Sequence, residues 1–352
     1  MTPAPITSHR PLRLRIDRGA LQANWRWLAD RSGRAACGAA LKADAYGLGG
    51  VEAAACLLEA GCREFFVATW AEAAEILPHL NGASLSVLHG LAVEDMAEAT
   101  RSAARPVLNT PGQVQRWREA APDRPCDVMM DTGMNRLGLS PAEVEAGLLD
   151  GLVIDTLMSH LACADEDHPM NARQLRDFTE LAAGVQARRL SLANSAGICL
   201  GSDYAFGLTR PGLALYGGIP RQEAQGHIAQ VVRVEAQVVQ RRRLSKGSSV
   251  GYNATFTADA DAELAILNIG YGDGYLRGFS GTGRARVGDG FAPVVGRVSM
   301  DLTAIRVDAA PDIVEGDWVE LDFDLAAASA QSGLSQYELL TTLGSRYQRL
   351  WL

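Results

Sequence analysis

Short apolar runs and longer helical patterns alternate along the first two-thirds of the chain. Pro11–Asp17 (PLRLRID) alternates apolar and charged side chains, the pattern of a half-buried strand. Leu21, Trp25 and Leu28 then recur at helical spacing. After them the short apolar segments are Cys37–Leu41, Phe65–Ala68, Ser84–Leu88, Pro106–Leu108, Asp127–Met130, Ile154–Ser159, Leu190–Ala193 and Leu213–Tyr216. Helical segments such as Glu52–Glu59, Ala71–Leu80, Pro111–Ala120, Pro141–Leu149 and Met170–Arg188 lie between them. Strands alternating with helices predict βαβ units and a parallel sheet. Eight such strands are what a closed (β/α)8 barrel of the TIM type needs. An open doubly wound sheet gives the same pattern. No G-x-G-x-x-G follows the first strand, which counts against a dinucleotide site.

After about Gly226 the texture changes. Ile228–Arg243, Glu263–Ile269, Arg284–Val287, Ala292–Val298, Thr303–Val307 and Trp318–Leu321 are β-branched runs separated by Gly or Asp, which predicts a β-rich module. Only Leu334–Leu343 reads as helix near the end, with Ser335 as cap and Glu338 three residues on. The expected division is a barrel over residues 18–226 and a β-rich domain over 227–352, with strand 11–17 pairing into the second.

Composition narrows the class. The chain has 352 residues, enough for two domains and a large core, with 47% hydrophobic and 21% charged residues. A net charge of −8 argues against nucleic acid as partner, and the one basic cluster, Arg241–Arg243, reads as a solvated strand face. Six cysteines show no C-x-x-C pair and no metal-ligand spacing, and most sit in apolar runs. That pattern favours a reducing compartment, and no metal is expected. No apolar run approaches the ~18 residues of a membrane span, and the N-terminal ten residues lack an apolar signal core. A cytoplasmic protein is the expectation.

The chemistry concentrates at strand ends. Lys42 closes the first barrel strand, in the sequence AALKADAYGLGG. Barrels place their catalytic groups at this end, and a lysine forms Schiff bases with aldehyde cofactors, although a lone strand-end lysine is also an ordinary loop residue. Asp131–Gly138 (DTGMNRLG) follows the fifth strand with Arg136, and His160 ends the sixth in SHLACAD. A core histidine and a barrel-loop arginine are the plain alternatives. Asn194 and Ser195 close the seventh, where they are phosphate donors or a helix cap. Arg210 opens RPGLALYG; in the β module stand Tyr252, Tyr271, Met300 and Tyr337.

Taken together, these segments resemble the alanine racemases over nearly the whole chain, from Arg13 to Arg349. The matching patterns are K-A-[ND]-A-Y-G, D-T-G-M-x-R-x-G, T-H-F-x-x-A-D, R-P-G-[IL]-x-L-Y-G, V-S-Y-G-x-T, I-G-Y-x-D-G-x-x-R and G-R-V-x-M-D, in family order. Departures are Leu48 for a common histidine, Gly251 and Asn253 around Tyr252, Ser299 for a common cysteine, and Met129. At the last position the family often has a carbamylated lysine that orients the arginine.

The resemblance implies a pyridoxal 5'-phosphate enzyme that interconverts L- and D-alanine. It assigns Lys42 as the cofactor lysine and D-face base, and Tyr252 of the partner subunit as the L-face base. It gives Ser195, Gly212, Leu213 and Tyr216 to the phosphate, with Tyr46 and Asn194 also at the cofactor. His160 stacks on the pyridine ring and Arg210 bonds its nitrogen. Arg136 contacts the cofactor's phenolic oxygen and helps hold the substrate carboxylate, and Met300, Tyr271 and Tyr337 border the substrate. A homodimer with shared sites follows. Because Met129 removes the lysine, Arg136 is expected to be a buried cation balanced by a small bound anion. The alternatives are a broad-specificity (serine) racemase and a related barrel decarboxylase. Decarboxylases of this type put an acid where Arg210 stands.

Overall fold

The computed structural model describes residues 9–352. It divides into two compact units: Gly19–Ala229, and the residues up to Arg18 together with Gln230–Leu352.

In the first unit seven parallel strands run in sequence order: Ala39–Ala40, Glu64–Val67, Ser84–Val87, Arg105–Leu108, Cys126–Met129, Ile154–Met158 and Ala187–Ser191. The ring is closed by a two-residue strand, Leu208–Thr209. On one side it pairs in parallel with Ala36–Cys37, and Gly38 N–H donates to Thr209 O at 2.9 Å. On the other, Gly207 N–H donates to Leu190 O at 3.1 Å and Arg210 N–H to Ala193 O at 2.9 Å. The closed (β/α)8 barrel is therefore the correct choice over an open sheet. The eighth strand, however, is not Leu213–Tyr216. That apolar stretch is a 3₁₀ turn, because the amides of Gly212 and Ala214 are taken by Ser195 Oγ instead of a neighbouring strand.

Helices start where the sequence supplies caps. Thr69 and Ser140 form reciprocal capping boxes with Glu72 and Glu143, and Thr110 caps Pro111–Ala120. Inside the barrel Phe66, Val107, Met129, Met158 and Leu208 form an apolar layer. Nearer the N-terminal ends of the strands is a charged layer. Arg105 lies 3.5 Å from both Asp127 and Asp155, and Arg189 lies 2.6 Å from Glu64. Asp127 is fully buried; burial pushes its carboxyl up, against Arg105 and a 2.5 Å bond from Ser86 Oγ.

The second unit is built on one long strand, Val232–Leu244. It pairs antiparallel with Leu12–Ile16, Trp318–Leu321 and Ala262–Leu267. Arg284–Val287, Gly290–Val295 and Thr303–Arg306 complete a closed ring, and Gln348–Trp351 joins Leu12–Ile16 in parallel. Two helices follow the sheet: the expected one, Gln336–Thr341, with its Ser335–Glu338 capping box, and Leu325–Ser332. The second was not legible as helix.

Candidate active site

Lys42 stands two residues past the first barrel strand, and between them Leu41 N–H donates to Phe66 O at 2.7 Å. The next four residues, Ala43, Asp44, Ala45 and Tyr46, all adopt left-handed backbone, with φ between 52° and 58°. L-residues disfavour this conformation by roughly 1–2 kcal/mol each, so neighbours must hold it. Ala45 N–H donates to Leu41 O at 2.7 Å and Gly50 N–H to Asp44 Oδ1 at 2.6 Å. The buried Tyr46 ring packs on Tyr216, centroids 4.8 Å apart. Tyr216 in turn donates its hydroxyl proton to Ala40 O at 2.7 Å. That proton is engaged, so Tyr216 braces the lysine strand and is not a free donor to a phosphate.

Ser195, Gly212, Leu213 and Tyr46 converge. Asn194 caps the helix Ser195–Cys199 by accepting from Gly197 N–H at 2.8 Å, so the helix-cap reading holds for Asn194. Ser195 Oγ accepts from Gly212 N–H at 2.9 Å and Ala214 N–H at 3.2 Å, which leaves its own proton to donate. Leu213 opens the 3₁₀ turn, where a backbone N–H has no acceptor within the turn. A Cβ at Gly212 would overlap Tyr46 Oη and come within 3.0 Å of Tyr46 Cζ, so only glycine leaves the approach open. The Ser195 hydroxyl and the Leu213 N–H, two donors beside a glycine with the Tyr46 ring lining the approach, fit a phosphate.

The remaining barrel residues form a cationic cluster. Arg210 is buried and donates to Ser159 O at 2.5 Å and to Ser191 Oγ. Burial lowers its pKa to about 10, partly opposed by Asp127, so it stays protonated. Burial, reinforced by Arg210, Arg136 and Lys42, lowers His160 to about 3, which keeps its ring neutral. Lys42 keeps solvent access, yet the protein packed around it and the charge of Arg136 both lower its pKa. The cluster favours a lysine in the neutral, nucleophilic form.

Arg136 departs from expectation. It sits at the tip of the loop between Met130 and Leu139 and is exposed. Met129 joins the apolar barrel layer with its side chain.

The other named residues belong to the β-rich unit. Tyr252 stands in a turn between the paired strands Ser249–Val250 and Phe256–Thr257, and 66% of it is exposed. Tyr271 N–H donates to Ser299 O at 3.0 Å and Gly272 N–H to Met300 O at 2.9 Å, so the Tyr271 and Met300 loops are tied together. Arg346 fastens them, 2.6 Å from Asp273 and 2.7 Å from Asp301. Met300 and Tyr337 are also exposed, at 54% and 46%.

The profile described as "Alanine racemase, N-terminal domain" matches residues 16–220, and "Alanine racemase, C-terminal domain" matches 231–351. The chain belongs to the alanine racemase family. It is 41% identical to an alanine racemase of Methylobacterium nodulans, an alignment spanning 98% of this chain and 97% of that one. Among solved structures it is similar to the alanine racemase of Bartonella henselae with covalently bound pyridoxal phosphate. There the TM-score is 0.91 at 34% identity, covering 98% of this chain and all of the other. The biosynthetic alanine racemase of Pseudomonas aeruginosa gives 0.90 at 30% identity, covering 98% of this chain and 100% of that one.

Within this family fold, several supporting residues escaped sequence reasoning. Gln174, fully buried, donates to Thr132 Oγ1 at 3.1 Å and His160 O at 2.9 Å, joining the loops after the fifth and sixth strands. Ser159 and Ser191 hold Arg210. A serine at a strand end is a weak signal; a mid-helix glutamine is none.

Proposed function

We propose that the protein interconverts L-alanine and D-alanine with pyridoxal 5'-phosphate as cofactor. The observation that carries this is Lys42, a strand-end lysine whose ammonium form is disfavoured by its surroundings. It stands beside the Ser195–Gly212–Tyr46 cradle, in a chain that belongs to the alanine racemase family throughout its length. Lys42 would hold the cofactor aldehyde, the cradle its phosphate, Arg210 its ring nitrogen and neutral His160 its ring face. When bound, the cofactor supplies a π system that acidifies the Cα–H of an attached amino acid.

Inversion at Cα needs a base on each face. Lys42 is the D-face base, poised by its lowered pKa. Tyr252 of the partner subunit is the L-face base, and Tyr271, Met300 and Tyr337 border the substrate with Arg136. The exposed tyrosines and Met300 of the β-rich unit support an isologous dimer in which each copy completes the other's site. Arg210 has only donors, so it does not protonate the ring nitrogen as an acid would. This disfavours decarboxylase-type chemistry. An anion at Arg136 gains no support from the single chain, where Arg136 is exposed to solvent. Among the described residues no helix is long and apolar enough to cross a membrane, which accords with a place in the cytoplasm.

Lys42→Ala tests the reading. It abolishes the borohydride-stable protein–cofactor adduct and α-proton exchange from both enantiomers of alanine. An adduct that survives, or release of carbon dioxide from an amino-acid panel by the unaltered protein, overturns it.

A further inference from the structure

The left-handed turn after Lys42 is gripped by a side chain from the next βα unit. Glu72 is the third residue of the helix Trp70–Ile76, and its Oε2 accepts from Ala68 N–H at 2.6 Å and Thr69 N–H at 3.2 Å. Glu72 N–H completes the capping box by donating to Thr69 Oγ1 at 3.3 Å. A capping box needs only one carboxylate oxygen. The second, Oε1, accepts from Ala43 N–H at 2.7 Å. That N–H belongs to the peptide joining Lys42 to the first left-handed residue. Fixing it fixes the peptide plane from which the lysine leaves the strand. All three groups are donors, and an ionised carboxylate is the side chain that accepts at both ends.

We propose that Glu72 is a positioning residue for Lys42, clamping the left-handed turn to the second βα unit and presenting a negative charge to the lysine. The proposal rests on the reading of Lys42 as the cofactor lysine. Among the described residues, charged and titratable groups that act on that amine include Arg136, His160 and Glu72. Glu72 opposes burial and Arg136, so it limits how far the amine's proton affinity falls. One carboxylate thus sets both the aim of the lysine and its charge.

The experiment compares Glu72→Gln with Thr69→Ala, each in the full chain stripped of cofactor and reloaded with pyridoxal phosphate. The glutamine amide turns its NH₂ either toward Ala43 N–H or toward the Ala68 and Thr69 N–H pair, so one grip is lost. Thr69→Ala weakens the helix cap and leaves the carboxylate in place. In adduct formation the neutral amine attacks the aldehyde carbon, a C=N bond replaces the C=O bond, and the carbonyl oxygen leaves as water with both amine protons. The rate rises with pH to a plateau: the midpoint reports the charge on Lys42 and the plateau reports its aim.

Glu72→Gln should move the midpoint to lower pH and lower the plateau about tenfold or more, the scale of one lost charge-assisted hydrogen bond. Hydrogen exchange over residues 43–49 should quicken. In the reloaded enzyme kcat should fall with little change in KM for alanine. Thr69→Ala should lower the unfolding temperature and move none of these. If Glu72→Gln fails to fold, Glu72→Asp keeps the charge on a shorter arm, so it should hold the midpoint and lose the plateau. A glutamine variant with unaltered midpoint and plateau, an alanine variant that reproduces its effects, or an aspartate variant with full plateau overturns the proposal. Failure of the parent reading is separate: it shows as an adduct in Lys42→Ala.

Discussion

Gly212→Ala isolates the close approach on which the phosphate cradle depends. Gly212 has φ −134° and ψ −83°, outside the left-handed region in which glycine is the usual requirement. The added methyl instead overlaps Tyr46 Oη, and lies 3.0 Å from Cζ and 3.5 Å from Ala40 Cβ. Tyr46 cannot swing aside, because its ring is buried against Tyr216, whose hydroxyl is bonded to Ala40 O at 2.7 Å. Overpacking of this kind costs about 1–3 kcal/mol. In a domain of about 150–250 residues that lowers the unfolding midpoint by roughly 2–4 °C per kcal/mol. A methyl intruding on the approach should also weaken the hold on a phosphate by the scale of one charge-assisted hydrogen bond, about 1.5–3 kcal/mol, or roughly tenfold to a hundredfold in affinity. Pyridoxal without its phosphate should lose far less. The assay is thermal unfolding of the cofactor-free chain, followed by titration with pyridoxal phosphate and with pyridoxal. Tyr46→Phe placed on Gly212→Ala deletes the overlapping oxygen, so the midpoint should recover while the phosphate preference does not. A single variant with unchanged midpoint and preference refutes the reasoning, as does a double variant no more stable than the single one.

Tyr252→Phe should slow solvent deuterium wash-in from L-alanine by about a hundredfold or more, and from D-alanine by much less; equal losses would leave Tyr252 a structural role. Mixing inactive Lys42→Ala and Tyr252→Phe chains should restore about a quarter of the activity through hybrid dimers with one intact site, whereas no recovery would mean sites are not shared. His160→Asn should flatten the acid side of the stability profile. The folded state holds His160 near 3 against an ordinary value of 6.5, so below pH 6.5 the unfolded chain binds a proton that the folded one does not, and stability falls with pH by up to about 2 kcal/mol at pH 5. Matching unfolding profiles between pH 7 and pH 5 in the two proteins would refute that environment for the ring.

Much of the site was legible because its residues sit at strand ends, where short apolar runs stop and turn residues begin. Lys42, His160, Ser195 and Arg210 all do so. The eighth strand was misplaced for a definite reason. Leu213–Tyr216 is the longer apolar run, but a two-residue strand such as Leu208–Thr209 is too short to show alternation. Leu325–Ser332 was missed because LAAASAQS has no contrast between faces, although Asp324 ahead of it is its cap. The capping box at Thr69–Glu72 can be read from spacing alone. That its second oxygen reaches Ala43, 29 residues earlier, follows only from the adjacency of the first two strands. Arg136 shows the opposite failure: a family motif implied burial, and the loop geometry leaves its tip outside.

The left-handed turn also bears on the order in which the molecule assembles. Helices of the usual hand nucleate from local contacts, but each step of this turn runs uphill until something distant grips it. Gly50 is close along the chain. Glu72 lies in the following βα unit, and Tyr216, which packs against Tyr46, arrives from the far end of the barrel. A growing or refolding chain therefore carries Lys42 on an unformed tether until the ring of strands closes. Covalent capture of the aldehyde should lag behind the appearance of helix and sheet, and should coincide with the docking of Leu208–Tyr216. In a folding experiment the lysine thus serves as a built-in reporter of barrel closure.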